Sequence, residues 1–167
     1  MQDMFDEVGL SAGAVYRYFA SKEDMVLAIA AESLSETIAI IHSFAMSSES
    51  QSLGMALGNA LEALERKHAK NQMASISMLS WAEALRNPEL ARRGSELIGP
   101  MREDLTELVR RLQANGELPR DPAPEALGAV LMSLISGFIL QLALLDDQPQ
   151  GAVVNAVRAL WPADRDS

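Results

Sequence analysis

Two groups of residues have types and spacing that could do chemistry. Glu65 and His68 stand three apart, the Glu-x-x-His spacing with which a helix presents two metal ligands on one face. Such a centre needs a second copy, and His42 has Ala39 where its glutamate would stand. The chain holds no Cys and only two His, so thiolate and multi-histidine sites are excluded. Gly-x-Ser-x-Gly, a Walker A loop and Gly-x-Gly-x-x-Gly are absent. No catalytic residue, metal or cofactor is therefore expected. The second group is Ser11-Ala12-Gly13-Ala14-Val15-Tyr16-Arg17-Tyr18-Phe19-Ala20-Ser21-Lys22. Ala12, Gly13 and Ala14 let a backbone approach a duplex closely. Arg17 has the length and fork to reach a guanine edge or a phosphate, while Tyr16, Tyr18 and Lys22 can donate to phosphate oxygens.

These groups must be carried by helices. Apolar residues recur with helical period along almost the whole chain, and no alternating run bounded by turns suggests a strand, so the expected class is all-α. At 167 residues the chain is the size of one compact unit with a small appendage. It carries 23 acidic against 14 basic residues, a net charge of −9, the wrong sign for gripping nucleic acid by bulk charge. Any contact with DNA must be local, although Asp3, Asp6, Glu7, Glu23 and Asp24 crowd Arg17 and Lys22. The start, MQDMFDEVGLS, lacks a basic n-region followed by an apolar stretch, which points to the cytoplasm.

Met1 to Val8 reads as a short helix closed by Gly9, and Ser11 caps a second one over Ala12 to Phe19. Ser21 and Asp24 form a capping box for a third helix, Lys22 to Phe44. A short helix, a glycine turn and a two-turn helix have the layout of a helix-turn-helix, with Val15 and Phe19 facing inward. A polar loop over Ser47 to Ser52 follows. Leu53, Leu57, Leu61 and Leu64 then mark one face of a helix ending near Lys70, and Met73 to Leu85 forms the next. Asn87-Pro88 starts a longer helix towards Asn115, with a kink or break expected at Gly99-Pro100.

Ala126 to Leu145 carries no charge and is long enough to cross a bilayer. Acidic flanks (Asp121, Glu125, Asp146, Asp147), the lack of Trp or Tyr at either end and the lack of a Lys/Arg bias argue against a span. A helix apolar all round is then buried all round, which in a small chain brings in a second subunit. Leu127, Leu131, Leu134, Phe138 and Leu142 make a bulky face. Ala129, Ser133 and Gly137 make a stripe of small residues, which suits either close packing within one subunit or a dimer seam. Val153, Val157 and Leu160 of a last helix, Pro149 to Trp161, would complete such a seam.

The run from Gly9 to Met25 strongly resembles the helix-turn-helix of the TetR/AcrR family of bacterial regulators, whose pattern is close to (A/V)-G-V-S-x-G-x-(V/L)-Y-x-(Y/H)-F-x-x-K-(E/D)-x-(L/M). Leu10 in place of Val is the one mild change. Trp81 to Leu90 is also similar to a stretch of the family. The resemblance implies an all-α homodimer: a DNA-binding head with its connecting helix over residues 1–44, and a ligand-binding and dimerisation body over 45–167. Family members carry a further, usually basic, helix ahead of the position of Met1, packed on Val15 and Phe19, so the head is expected to be incomplete here. The implied function is a repressor that an effector releases from a palindromic operator, with Ser11, Ala12, Gly13, Ala14, Tyr16, Arg17, Tyr18 and Lys22 on the DNA. The alternative is a dimeric small-molecule-binding protein that does not bind DNA.

The resemblance also implies an effector cavity between the middle helices and the long apolar one. Candidates from the first half of the body are Leu61, Leu64, His68, Met73, Ile76, Met78 and Trp81. Those from the second half are Met101, Leu105, Met132, Ile135, Phe138 and Gln141. Methionines make an adaptable apolar wall, and Trp81 adds a stacking face and an N–H. For any one of these side chains ordinary core is the commoner role. Few basic groups fall in the helical middles, so a small apolar or weakly cationic effector is expected.

Overall fold

The computed structural model describes residues 22–46, 52–145 and 151–161. All six helices among them follow in chain order: α1 (Lys22–Ala45), α2 (Leu53–Asn71), α3 (Met73–Ala84), α4 (Pro88–Ala114), α5 (Pro124–Leu144) and α6 (Ala152–Leu160). Their ends follow local chemistry. Ser52 caps α2 by accepting from the Met55 N–H at 3.4 Å. Asn87 caps α4 by accepting from the N–H groups of Glu89 and Leu90, and Pro88 takes the first helical position, where no N–H is needed. Gln72 joins α2 to α3 in the left-handed region, φ 56°. His68 secures that joint twice: its carbonyl accepts from Gln72 at 2.8 Å and its Nδ1 accepts from the Ala74 N–H at 3.2 Å.

The core gathers one face of each helix. Leu53, Leu57, Leu61 and Leu64 of α2 are buried, at the spacing expected for a helix face, against Met73 and Ala74 of α3. From the other side come Met101, Leu105, Val109 and Leu112 of α4, with Leu131, Ile135, Phe138 and Ile139 of α5. Fully burying one such side chain stabilises the fold by about 1.5–3 kcal/mol. Thr37, Ile41 and Ala45, four apart on α1, enter the same core, so the second half of the connecting helix packs as part of the body.

Of the kink or break expected at Gly99-Pro100, the break does not occur, since α4 runs from Pro88 through Pro100 to Ala114. Proline keeps a helical φ, but it removes one donor and its ring crowds the carbonyl four residues earlier, at a cost of about 3 kcal/mol. On the following turns Met101, Leu105 and Leu108 are held in the core, and this burial carries the helix past it. The antiparallel register of α4 and α5 is set by two contacts. Arg110 Nη2 donates to Glu125 at 2.7 Å, and one turn on Thr106 packs against Gly128, where a Cβ would lie 2.9 Å from Thr106 Oγ1. Gln113 donates to the carbonyls of Pro119 (2.7 Å) and Pro122 (3.0 Å), tying down the proline-rich connection.

α6 packs on α2. A side chain at Gly54 would collide with the carbonyl of Trp161, so glycine is what allows the approach. Arg158 donates to Asn59 at 2.8 Å and Glu62 at 2.7 Å, and Glu65 accepts from the Gly151 N–H at 2.9 Å. α5 has the length and composition of a membrane-crossing helix, but its Gly128, Leu131, Ile135, Phe138 and Ile139 face is buried in the core.

Candidate ligand-binding cavity

A cavity of about 1260 Å³ opens between α1, α3, the first half of α4 and α5. Its wall is made largely of small side chains: Ala28 and Ala31 of α1, Ser77, Ser80 and Ala84 of α3, Ala91, Gly94, Ser95 and Gly99 of α4, and Ala129, Ser133 and Ser136 of α5. Trp81, Leu90, Leu97, Ile98 and Met132 supply the bulky apolar surface. Four of the five wall serines are settled within their own helices: Ser77, Ser80 and Ser133 each donate to the carbonyl four residues earlier, and Ser95 to the one three residues earlier.

Two cations, Arg93 and Arg102, stand on the wall. Arg93 Nε donates to Glu89 Oε1 at 2.8 Å, and Arg92 grips both oxygens of the same carboxylate. These bonds, Arg92's first, hold the Glu89 carboxyl down at about 2, and Glu89 also lies in the first turn of α4, where negative charge suits the helix dipole. Behind the wall His42 Nδ1 of α1 lies 2.8 Å from Asp104 Oδ2 of α4, and Lys67 of α2 pairs with Glu36 of α1.

Of the residues expected to line a cavity, Trp81 and Met132 are on this wall. Leu61, Leu64, Met73, Met101, Leu105, Ile135 and Phe138 are instead buried in the core, and Met78 packs against it. Ile76 and Gln141 are half-buried off the wall. His68 is engaged by the α2–α3 joint, and with Glu65 bonded to Gly151 neither side chain of the Glu-x-x-His pair is aimed at a shared ligand. No group of three or more metal-ligating side chains occurs among the described residues. The physical reason for the redistribution is simple. Bulky apolar side chains fill the space between helices, and a cavity persists where Ala, Ser and Gly cannot.

The small stripe on α5 divides in the same way. Ala129 and Ser133 face the cavity, and a Cβ at Gly137 would meet nothing within 4 Å. Val157 is buried within the subunit, Val153 packs on the core and Leu160 is exposed. Ser11, Ala12, Gly13, Ala14, Tyr16, Arg17 and Tyr18 lie outside the described residues, as does the side chain of Lys22.

Residues 57–160 match the family described as BetI-type transcriptional repressor, C-terminal, and residues 1–29 match bacterial regulatory proteins of the tetR family. Among curated proteins no sequence match was found. The fold is similar to that of three solved structures. The TetR family regulator PfmR from Thermus thermophilus is 21% identical, with a TM-score of 0.73 over 99% of this chain and 88% of its own. A TetR/AcrR family regulator from Thermobifida fusca is 24% identical, with a TM-score of 0.68 over 99% and 86%. GusR from Salmonella enterica is 21% identical, with a TM-score of 0.65 over 96% and 83%. The family-wide match over α2 to α6, joined to the helix-turn-helix match that runs into α1, identifies the chain as a member of the TetR family of bacterial transcriptional regulators.

Proposed function

We propose that this ligand-responsive repressor senses its effector in the 1260 Å³ cavity and reports occupancy to DNA through α1. The observation that carries the reading is that Ala28 and Ala31 belong both to the cavity wall and to the helix that leads from the helix-turn-helix segment. A ligand pressing on these two small side chains acts directly on the helix that positions the head. It shifts the equilibrium only by its differential affinity for the two positions of α1. The head then comprises residues 1–44 and the body 45–167, with α1 shared between them. The chain acts by binding rather than turnover, in the cytoplasm, where operator DNA is.

On the DNA, Ser11, Ala12, Gly13, Ala14, Tyr16, Arg17, Tyr18 and Lys22 are the proposed contacts. Arg17→Ala should cost about 1–3 kcal/mol and lose discrimination at one base pair, whereas Lys22→Ala should weaken all sequences alike. The proposed partner is a second copy of the chain, as regulators of this family act as dimers. It covers the outer face of α5, where Val130 (53% exposed), Leu134 (39%) and Leu144 (67%) lie, together with Leu160 (67%) of α6. Titration of matched and mismatched operator DNA tests the whole reading. Ala31→Trp, which occupies the cavity from α1, should change operator affinity without changing base discrimination, and an unchanged affinity would separate the cavity from DNA control.

A further inference from the structure

The wall of the proposed effector cavity carries charge of one sign: Arg93 and Arg102 line it, and no Asp or Glu does among the described residues. Arg93 is committed to Glu89. Arg102 is in none of the ion pairs among the described residues. Its location follows from the antiparallel register: Arg110 meets Glu125, Thr106 meets Gly128, and one further turn brings Arg102 level with Met132 and Ser133. The hydroxyl protons of Ser77, Ser80, Ser95 and Ser133 are spent on backbone carbonyls, so beside the neutral Trp81 N–H and Ser136 hydroxyl the wall offers a ligand one cationic donor that no carboxylate holds among the described residues, Arg102. A guanidinium beside apolar surface interacts most strongly with an anion that fits its planar fork.

We propose that the effector is an amphiphile whose single anionic head, a carboxylate or a phosphate, is held by Arg102, and whose apolar body lies against Trp81, Leu90, Ile98 and Met132. This deepens the reading of the cavity as the effector site and rests on it. It also replaces the apolar or weakly cationic effector expected from the scarcity of basic residues, because two of the three arginines in this part of α4, Arg93 and Arg102, line the cavity.

Calorimetric titration of the full chain with four probes of equal chain length, decanoate, decyl phosphate, decanol and decyltrimethylammonium, tests the proposal. At least one of the two anions should bind about tenfold more tightly than decanol, a factor that one charge-assisted hydrogen bond supplies, with the ammonium weakest. Whichever anion is tighter identifies the head. Arg102→Gln should erase that preference and leave decanol unchanged. Gly94→Leu should weaken all four, since a Cβ at Gly94 enters open space on the wall and the backbone need not move. Decanol binding as tightly as both anions overturns the anionic head, and an anion preference that survives Arg102→Gln overturns its capture by Arg102. In those cases a decanol affinity that still falls with Gly94→Leu leaves the effector cavity standing. Indifference of every probe to Gly94→Leu overturns both.

Discussion

His42 and Asp104 join the connecting helix to the cavity helix: Nδ1 and Oδ2 are 2.8 Å apart, with His42 largely exposed and Asp104 mostly covered. Asp104 is two residues from Arg102, so the pair bridges the cavity wall and the helix that leads to DNA. With His42 open to solvent, a pair of this kind contributes only about 0–1 kcal/mol to stability. Asp104→Asn should accordingly leave the denaturation midpoint nearly unchanged while altering operator affinity in the absence of effector. A mobility-shift titration checks this, and an affinity equal to that of the parent protein would exclude the pair from the path between cavity and DNA.

Gly128 and Gly94 make a matched test of packing. A Cβ at Gly128 would stand 2.9 Å from Thr106 Oγ1 and 3.2 Å from the Thr106 backbone nitrogen, and the backbone cannot yield cheaply. Gly128→Ala should destabilise by about 1–3 kcal/mol through overpacking at the α4–α5 contact. At Gly94 a Cβ meets nothing within 4 Å, so Gly94→Ala should be neutral or stabilise by up to about 1 kcal/mol through helix propensity. Urea denaturation of the two variants reads the difference, and equal effects would contradict the helix register.

Gly137 separates assembly from folding. No atom lies within 4 Å of a Cβ built there, and the residue shares the outer side of α5 with Val130, Leu134 and Leu144. Gly137→Leu should therefore leave the isolated subunit's fold intact and weaken the dimer, at a cost of about 1–3 kcal/mol per copy, counted twice at a two-fold seam. Sedimentation equilibrium measures it. A dimer as tight as that of the parent would move the seam away from this face of α5.

Acid should loosen α6 from α2. The bond from Arg158, helped by Arg66, holds the Glu62 carboxyl below its ordinary value of 4.5. A carboxyl depressed in the folded state contributes stability above its unfolded value, and that contribution is lost as pH falls through the folded value. Glu62→Gln should thus be less stable than the parent at neutral pH, with the gap closing as both are taken below about pH 4. Hydrogen exchange over Ala152–Leu160 at the two pH values follows the loss locally. A gap that is the same at both would show that the Arg158–Glu62 bond does not hold α6.

The helix inventory was legible because its determinants are local. Ser52, Asn87-Pro88 and the Leu53, Leu57, Leu61, Leu64 periodicity act within a turn or two of chain, and the observed α2 and α4 begin where those residues place them. Membership of the TetR family was legible for a similar reason: Gly9 to Met25 is one continuous run of residue types. Pro100 is a local signal that left a break open, and α4 continues past it because burial of Met101 and Leu105 against other helices outweighs the lost hydrogen bond and the crowding by the ring.

The cavity was not legible, and its residues explain why. Ala28, Ser80, Gly94 and Ser133 come from four helices, and none has a local property that marks it as a wall. Sequence periodicity picks out the bulky side chains that fill space, so Leu64, Met73 and Phe138 drew attention as lining when they are core. A small residue reads the same whether a neighbouring helix presses on it, as Thr106 does on Gly128, or nothing does, as at Gly94. The amino-acid sequence by itself determined the helices, their inward faces and the family. Only the tertiary structure decided which small residues face another helix and which face open space, because that depends on the distance between helices, and many residues far apart in the chain set it together.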